Sequence, residues 1–155
     1  MKTKLTSTVM RRAISVIALM VASLSVFSQQ TAQELDLWTV QVNNQIREYE
    51  QQLGLSNRSH TIVTGSLHND NNEWVTMDLD ADEKYYILGV CDNDCSDLDL
   101  KLYSSSTLLD EDIMSDNYPL VSVTPNADGQ FRVNVIMAGC TVSPCRYGIA
   151  IYKAD

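Results

Sequence analysis

The chain is short of basic residues, of histidine and of every short motif that marks a catalytic centre. It has no Gly-x-Ser-x-Gly elbow, no His-Glu-x-x-His helix and no glycine-rich phosphate loop. Those absences remove the serine hydrolases, zinc peptidases and nucleotide-binding enzymes that depend on them. Only two histidines occur, His60 and His68. No third ligand joins them at a helical or hairpin spacing, so they read as loop residues rather than a metal site. Lys and Arg number 11 against 20 Asp and Glu, a formal charge of −9. That deficit argues against nucleic acid or an anionic membrane surface as a partner, because both need positive charge to replace counterions. Cations or basic surfaces suit such a chain better.

The few basic residues are also unevenly placed. Lys2, Lys4, Arg11 and Arg12 precede a run from Ala13 to Phe27 that is apolar apart from three serines, and no charge follows until Glu34. This is the grammar of a secretory signal peptide, with cleavage expected after Ser28, where Val26 and Ser28 are small enough for the positions before a scissile bond. The rival reading is a retained anchor, but fifteen helical residues reach only about 22 Å against a hydrocarbon core of about 30 Å. No cysteine stands near the end of the apolar run to take a lipid. The Arg11-Arg12 pair fits a twin-arginine signal only loosely in its flanks, which favours the general secretory route. Removing residues 1–28 leaves 7 basic residues against 20 acidic ones, a formal −13. The expected product is a periplasmic or secreted protein without a membrane span, small enough for one domain with a modest core.

All four cysteines, Cys91, Cys95, Cys140 and Cys145, lie in that exported part. An even number in an oxidising compartment implies two disulfides. A four-thiolate zinc site competes, but the pairs are spaced C-x3-C and C-x4-C rather than C-x2-C, and export removes the reducing conditions that keep thiolates free. Four cysteines permit three connectivities. Each close pair brackets a short loop between two strands, so Cys91–Cys95 and Cys140–Cys145 are expected, each clamping a hairpin.

Periodicity divides the rest. Thr31 with Glu34 reads as a capping box, and Leu35, Trp38, Val42, Ile46, Tyr49 and Leu53 recur at steps of three and four until Gly54, so residues 29–56 are expected to hold one amphipathic helix. Its stripe packs either on the domain behind it or on a partner helix. Beyond Ser56 the period becomes two. Val75, Met77 and Leu79 alternate with Thr76, Asp78 and Asp80, Leu98, Leu100 and Leu102 with Asp97, Asp99 and Lys101, and Phe131, Val133, Val135 and Met137 with Arg132, Asn134 and Ile136, while Tyr147, Ile149 and Ile151 give a last strand its inward face. Tyr85 to Val90 is apolar on both faces, as in a central strand. Further strands near Thr61 to Leu67, Leu108 to Met114 and Leu120 to Val123 bring the count to about eight. Short strands separated only by turn clusters imply an antiparallel β-sandwich over residues 57–155.

Several stretches resemble the bacterial pre-peptidase C-terminal domain. They are Tyr86-Ile87-Leu88-Gly89-Val90-Cys91-Asp92, Cys95-Ser96-Asp97-Leu98-Asp99-Leu100, Pro119 before a strand, and Gly129-Gln130-Phe131-Arg132-Val133 followed by Cys140 and Pro144-Cys145. The resemblance covers Tyr85 to Tyr152 and implies a jelly-roll-like sandwich. Members of that family usually accompany a peptidase or another enzyme, and this chain has no room for one.

The densest carboxylate cluster is Asp92, Asp94, Asp97 and Asp99, with Asp78, Asp80 and Asp82 nearby. Calcium takes six to eight oxygens and is often served by such aspartates. The EF-hand order of a glycine and a distal glutamate is missing, and the alternative is that these side chains cap loop amides. A glycosidase pair, two carboxylates facing each other across a cleft, is a third use. Asn57-Arg58-Ser59 fits a glycosylation sequon. The sequence therefore points to a non-catalytic exported module that binds a protein or glycan of the envelope or exterior. A calcium-dependent module is the alternative, and a small hydrolase using the aspartates stands behind both.

Overall fold

The structure is a computed structural model and describes residues 37–154. The signal peptide, the Thr31–Glu34 capping box and Leu35 lie outside the described residues. Helix α1, described over residues 37–53, precedes eight strands: β1 Val63–Leu67, β2 Asn72–Leu79, β3 Tyr85–Cys91, β4 Cys95–Ser104, β5 Thr107–Asp112, β6 Leu120–Val123, β7 Gly129–Cys140 and β8 Cys145–Lys153. They form two antiparallel four-stranded sheets, sheet A in the order β1-β8-β3-β6 and sheet B in the order β2-β7-β4-β5. Successive strands alternate between the sheets except where β4 turns directly into β5, which is the connectivity of an eight-stranded jelly roll. The alternating residues meet between the sheets: Val75, Met77 and Leu79 from β2, Leu98, Leu100 and Leu102 from β4, and Val133, Val135 and Met137 from β7 face Ile87, Val121, Tyr147 and Ile149 across the core.

Sheet A is covered on its outer face as well. Val42 and Ile46 of α1 are buried against Leu88, Val90, Ala150 and Tyr152, with Tyr49, Leu55, Tyr86 and Leu120 closing the margin. Burying those two aliphatic side chains contributes about 3–6 kcal/mol at about 1.5–3 each, so the stripe is satisfied within the chain. Gly148 makes the close approach possible, since a Cβ there would stand 2.5 Å from Val42 Cγ1. The helix ends in a Schellman turn, in which Gly54 takes a φ of 68° and the Leu55 amide donates to the Glu50 carbonyl at 2.9 Å. Leu53, expected on the buried stripe, is exposed. The chain turns left-handed at Gly54, and Leu55 supplies the apolar contact instead. Glu50 then accepts hydrogen bonds from Arg58 and from the Tyr152 hydroxyl, tying the helix end to β8.

Two further expectations are corrected. The strand proposed to reach Met114 stops at Asp112, because the Asp112 carboxylate turns back to accept the Met114 amide at 3.3 Å. The disulfides are Cys91–Cys95 and Cys140–Cys145, each with Cα atoms 5.9 Å apart, but neither clamps a hairpin. β3 and β8 belong to sheet A while β4 and β7 belong to sheet B, so each bridge staples one sheet to the other where the chain crosses over. Cys95 and Cys140 are register partners, which places both staples at one end of the sandwich.

The opposite problem, the long open side between β5 and β6, is solved by carboxylates. The Asp110 side chain accepts from the Ser122 amide at 2.8 Å, and the Asp112 side chain accepts from the Leu120 amide at 3.0 Å. β6 is the end strand of sheet A and β5 the end strand of sheet B, so these bonds form a seam between the sheets.

Candidate binding face

With α1 on sheet A, the outer face of sheet B is left without a covering layer among the described residues. Its outward positions follow from register. One row runs Trp74, Asn134, Lys101, Glu111 and the next runs Thr76, Arg132, Tyr103, Leu108. Trp74 and Tyr103 stand on strands separated by β7, about 10 Å apart at the usual strand spacing, yet their ring centroids are 5.4 Å apart in an edge-to-face pair. Both side chains must therefore lean across β7. The Arg132 guanidinium lies 4.4 Å from the Trp74 centroid and donates to the Ser105 carbonyl at 2.8 Å. A cation over an indole at an exposed site is worth about 0.5–1 kcal/mol, and the aromatic pair about as much again. These contacts fix the three side chains while Trp74 stays 46% exposed. Lys101 and Glu111 form an ion pair at 3.1 Å alongside.

The platform runs into a hollow at the end of the sandwich away from the disulfides. A cleft of about 320 Å³ is lined by Ser104, Leu109, Val123, Pro125, Gln130 and Phe131, among others. A shallower one of about 430 Å³ joins Ser105 and Gln130 to Arg132. Ligand pockets range over about 300–1,000 Å³, so the first is at the small end of that range.

The aspartates singled out from the sequence do other work. Asp92 is 1% exposed and accepts the Arg146 amide at 2.6 Å and the Asp94 amide at 3.2 Å. Burial pushes its carboxyl up from the ordinary range, against the pull of those amides. The Asp94 carbonyl accepts from the Thr141 amide at 2.8 Å and the Thr141 hydroxyl at 2.7 Å, which joins the two disulfide loops. Asp97 and Asp99 lie further along β4. Both carboxyls are raised, first by burial and then by neighbouring carboxylates: Asp116 acts on Asp97, and Asp97, Asp112 and Asp116 act on Asp99. Asp97 Oδ1 is buried without a hydrogen-bond partner. Among the described residues no group of three or more His, Cys, Asp or Glu side chains converges as a metal site, so Asp92, Asp94, Asp97 and Asp99 are not brought together around one point. Neither cleft includes them. Asp80 pairs with Lys153 at 2.9 Å, which lowers the Asp80 carboxyl and pushes Lys153 up to about 12. Asp82 holds a turn at a φ of 61°. His60 and His68 are apart, His60 Nε2 lying 3.0 Å from the Asp78 carbonyl and His68 Nδ1 2.8 Å from Ser143 Oγ.

A pH dependence follows from these shifts. Asp92, Asp97 and Asp99 have raised folded values, so the folded state holds their protons more tightly than the unfolded one. Their contribution to stability is fully present below the unfolded carboxylate value of about 3.9 and is lost as pH rises through the raised folded values. Asp80 acts oppositely, its contribution disappearing as pH falls through its lowered value. The melting temperature should therefore rise as pH is lowered toward the unfolded carboxylate value. In Asp92→Asn the slope of that rise should be shallower, as thermal melts at matched ionic strength will show.

Sequence reasoning missed Trp74, Tyr103 and Arg132. The available signal was position: each alternates with a core residue and so must face outward, where a large aromatic is informative.

No family model matches the chain, and no curated protein matches it. The sandwich does have solved counterparts. It is similar to the periplasmic g-type lysozyme inhibitor PliG of Aeromonas hydrophila, at 10% identity and a TM-score of 0.45, over 61% of this chain and 85% of that one. It is similar also to the pre-peptidase C-terminal domain of a Bacillus anthracis collagenase, at 14% identity and a TM-score of 0.43, over 61% of this chain and 92% of that one. The second is a solved example of the sandwich that the sequence resembles. Among the described residues no helix is long and apolar enough to cross a membrane.

Proposed function

We propose that this protein is a non-catalytic binding module of the periplasm or exterior, and that the uncovered face of sheet B is its contact surface. The observation that carries the reading is the fixed Trp74–Tyr103–Arg132 platform on the sheet face that α1 leaves open. Aromatics and arginine are the residues that dominate contact surfaces, the aromatics because they offer a large area at low entropic cost and arginine because it adds a planar set of donors. Two inter-sheet disulfides suit an oxidising compartment. The described aspartates are engaged by amides or spread along β4, which supports binding over hydrolysis.

Trp74→Ala tests it. The substitution removes the ring pair and the cation contact, so it should cost about 1–2 kcal/mol and leave the domain folded, as a melt will show. Pull-down with the mature, oxidised protein from its own envelope fraction should recover at least about tenfold less partner, equivalent to about 1.4 kcal/mol. Equal recovery by the two proteins would place the contact surface elsewhere.

A further inference from the structure

The segment after β5 holds a combination the binding reading does not use. Ile113 is 54% exposed and Met114 69%, adjacent on the loop, with exposed Tyr118 further along it. Scattered exposed apolar side chains need no explanation, but a contiguous group does. The backbone beneath them is held at alternate residues. The Met114 amide donates to Asp112 at 3.3 Å and the Asp116 amide to the Met114 carbonyl at 2.7 Å; the Leu98 amide donates to the Asp116 carbonyl at 2.9 Å and the Tyr118 amide to the Asp116 side chain at 3.1 Å. Tyr118 is also stacked on Tyr49 with centroids 4.5 Å apart. A loop fixed by four hydrogen bonds and a ring stack has already lost its conformational freedom, so presenting Ile113 and Met114 to a partner costs little further ordering.

The charge around the tip has one sign. The Asp116 carbonyl accepts from Leu98, between Asp97 and Asp99, Asp112 is paired in register with Leu100, Glu111 is the neighbour on β5, and Lys101 is already engaged by Glu111. The protein is acidic as a whole, yet here the negative groups collect round an apolar point instead of being interleaved with cations.

We infer that the Ile113–Met114 tip and its carboxylate surround form a docking surface for a basic protein, which seats an apolar side chain on the tip and Lys or Arg on Asp97, Asp99 and Asp116. This rests on the reading of the chain as a binding module and names its partner's chemistry. Carboxylates that repel one another gain more from a cation than isolated ones do, and the field they create steers a basic partner toward the tip and raises its on-rate.

The test uses three synthetic amphipathic peptides of equal length and leucine content, carrying lysine, glutamine or glutamate at their polar positions. Each is titrated against the mature, oxidised protein. The lysine peptide should bind at least about tenfold more tightly than the glutamine peptide, a difference of about 1.4 kcal/mol, and the glutamate peptide should not bind. Ile113→Ser with Met114→Ser should weaken the lysine peptide by about tenfold, and Asp97→Asn with Asp99→Asn should slow its association. All these positions are at least partly exposed, so folding is preserved and checked by the melt. Binding of the lysine peptide that ignores Ile113 and Met114 would be bare ionic attraction and would overturn the proposal, as would equal binding of all three peptides. Trp74→Ala separates the two readings. Loss in that variant with Ile113→Ser/Met114→Ser unaffected would leave the sheet B face standing and remove the tip.

Discussion

Gly148→Val should lower the stability of the protein by about 2–3 kcal/mol, the cost of forcing extra carbon into a packed interface. The reason is the spacing between α1 and β8. The first added carbon would meet Val42 Cγ1 at 2.5 Å and Ile46 Cδ1 at 3.2 Å, and a β-branched residue adds two more atoms in the same space. Neither neighbour can swing aside, because Val42 and Ile46 are themselves the buried anchors of the helix. The helix must lift, and with it goes cover for Leu88, Val90 and Ala150. For a domain of this size a loss of that order is a fall in melting temperature of roughly 6–15 °C. A melt monitored by far-ultraviolet circular dichroism, with Gly148→Ala as the smaller step, would show it. A Gly148→Val protein as stable as the natural one would mean that the helix rides more loosely than its contacts imply.

Asp92→Ala should cost about 2–4 kcal/mol, because it leaves the amides of Arg146 and Asp94 without their acceptor in a site closed to solvent. The damage should be local in character. Asp92 sits inside the Cys91–Cys95 bridge and reaches β8 next to Cys145, so its carboxylate connects both crossover loops. Asp92→Asn keeps one acceptor oxygen and much of the shape, and should lose less than half as much. Chemical denaturation of the two variants checks the order, and hydrogen exchange should show the Arg146 amide losing protection in Asp92→Ala first. If alanine and asparagine behave alike, the carboxylate is not what holds the loops.

The strand positions were legible because the two-residue period is dictated by burial on one face, and β2, β4 and β7 follow it residue by residue. β3 was legible as a central strand for a related reason: Tyr86, Leu88 and Val90 are apolar on the second face because α1 lies there. What could not be read was which sheet each strand joins. A short loop between two strands looks the same whether it turns within a sheet or crosses between sheets, and so the disulfide pairs were identified while their action as inter-sheet staples was not. The carboxylate cluster misled in the opposite direction. Dense aspartates resemble ion ligands in one dimension, but Asp92 turns inward to amides while Asp97 and Asp99 run along a strand. Trp74, Tyr103 and Arg132 are 58 residues apart at the extremes, and only the pairing of β2 with β7 and of β7 with β4 brings them side by side.

The seam of Asp110 and Asp112 on the amides of Ser122 and Leu120 also bears on how this protein behaves in company. β6 is only four residues long and ends its sheet, and an open strand of that kind is where one molecule can recruit the next into a growing ribbon. Here the hydrogens that a newcomer would need are already taken by side chains of the same molecule. A carboxylate also repels the carbonyl oxygens of any approaching strand. The acidity of the β5 sequence, unremarkable as solubilising charge, thus serves as a guard against fibre growth, built into a side of the sandwich that neither disulfide bridges.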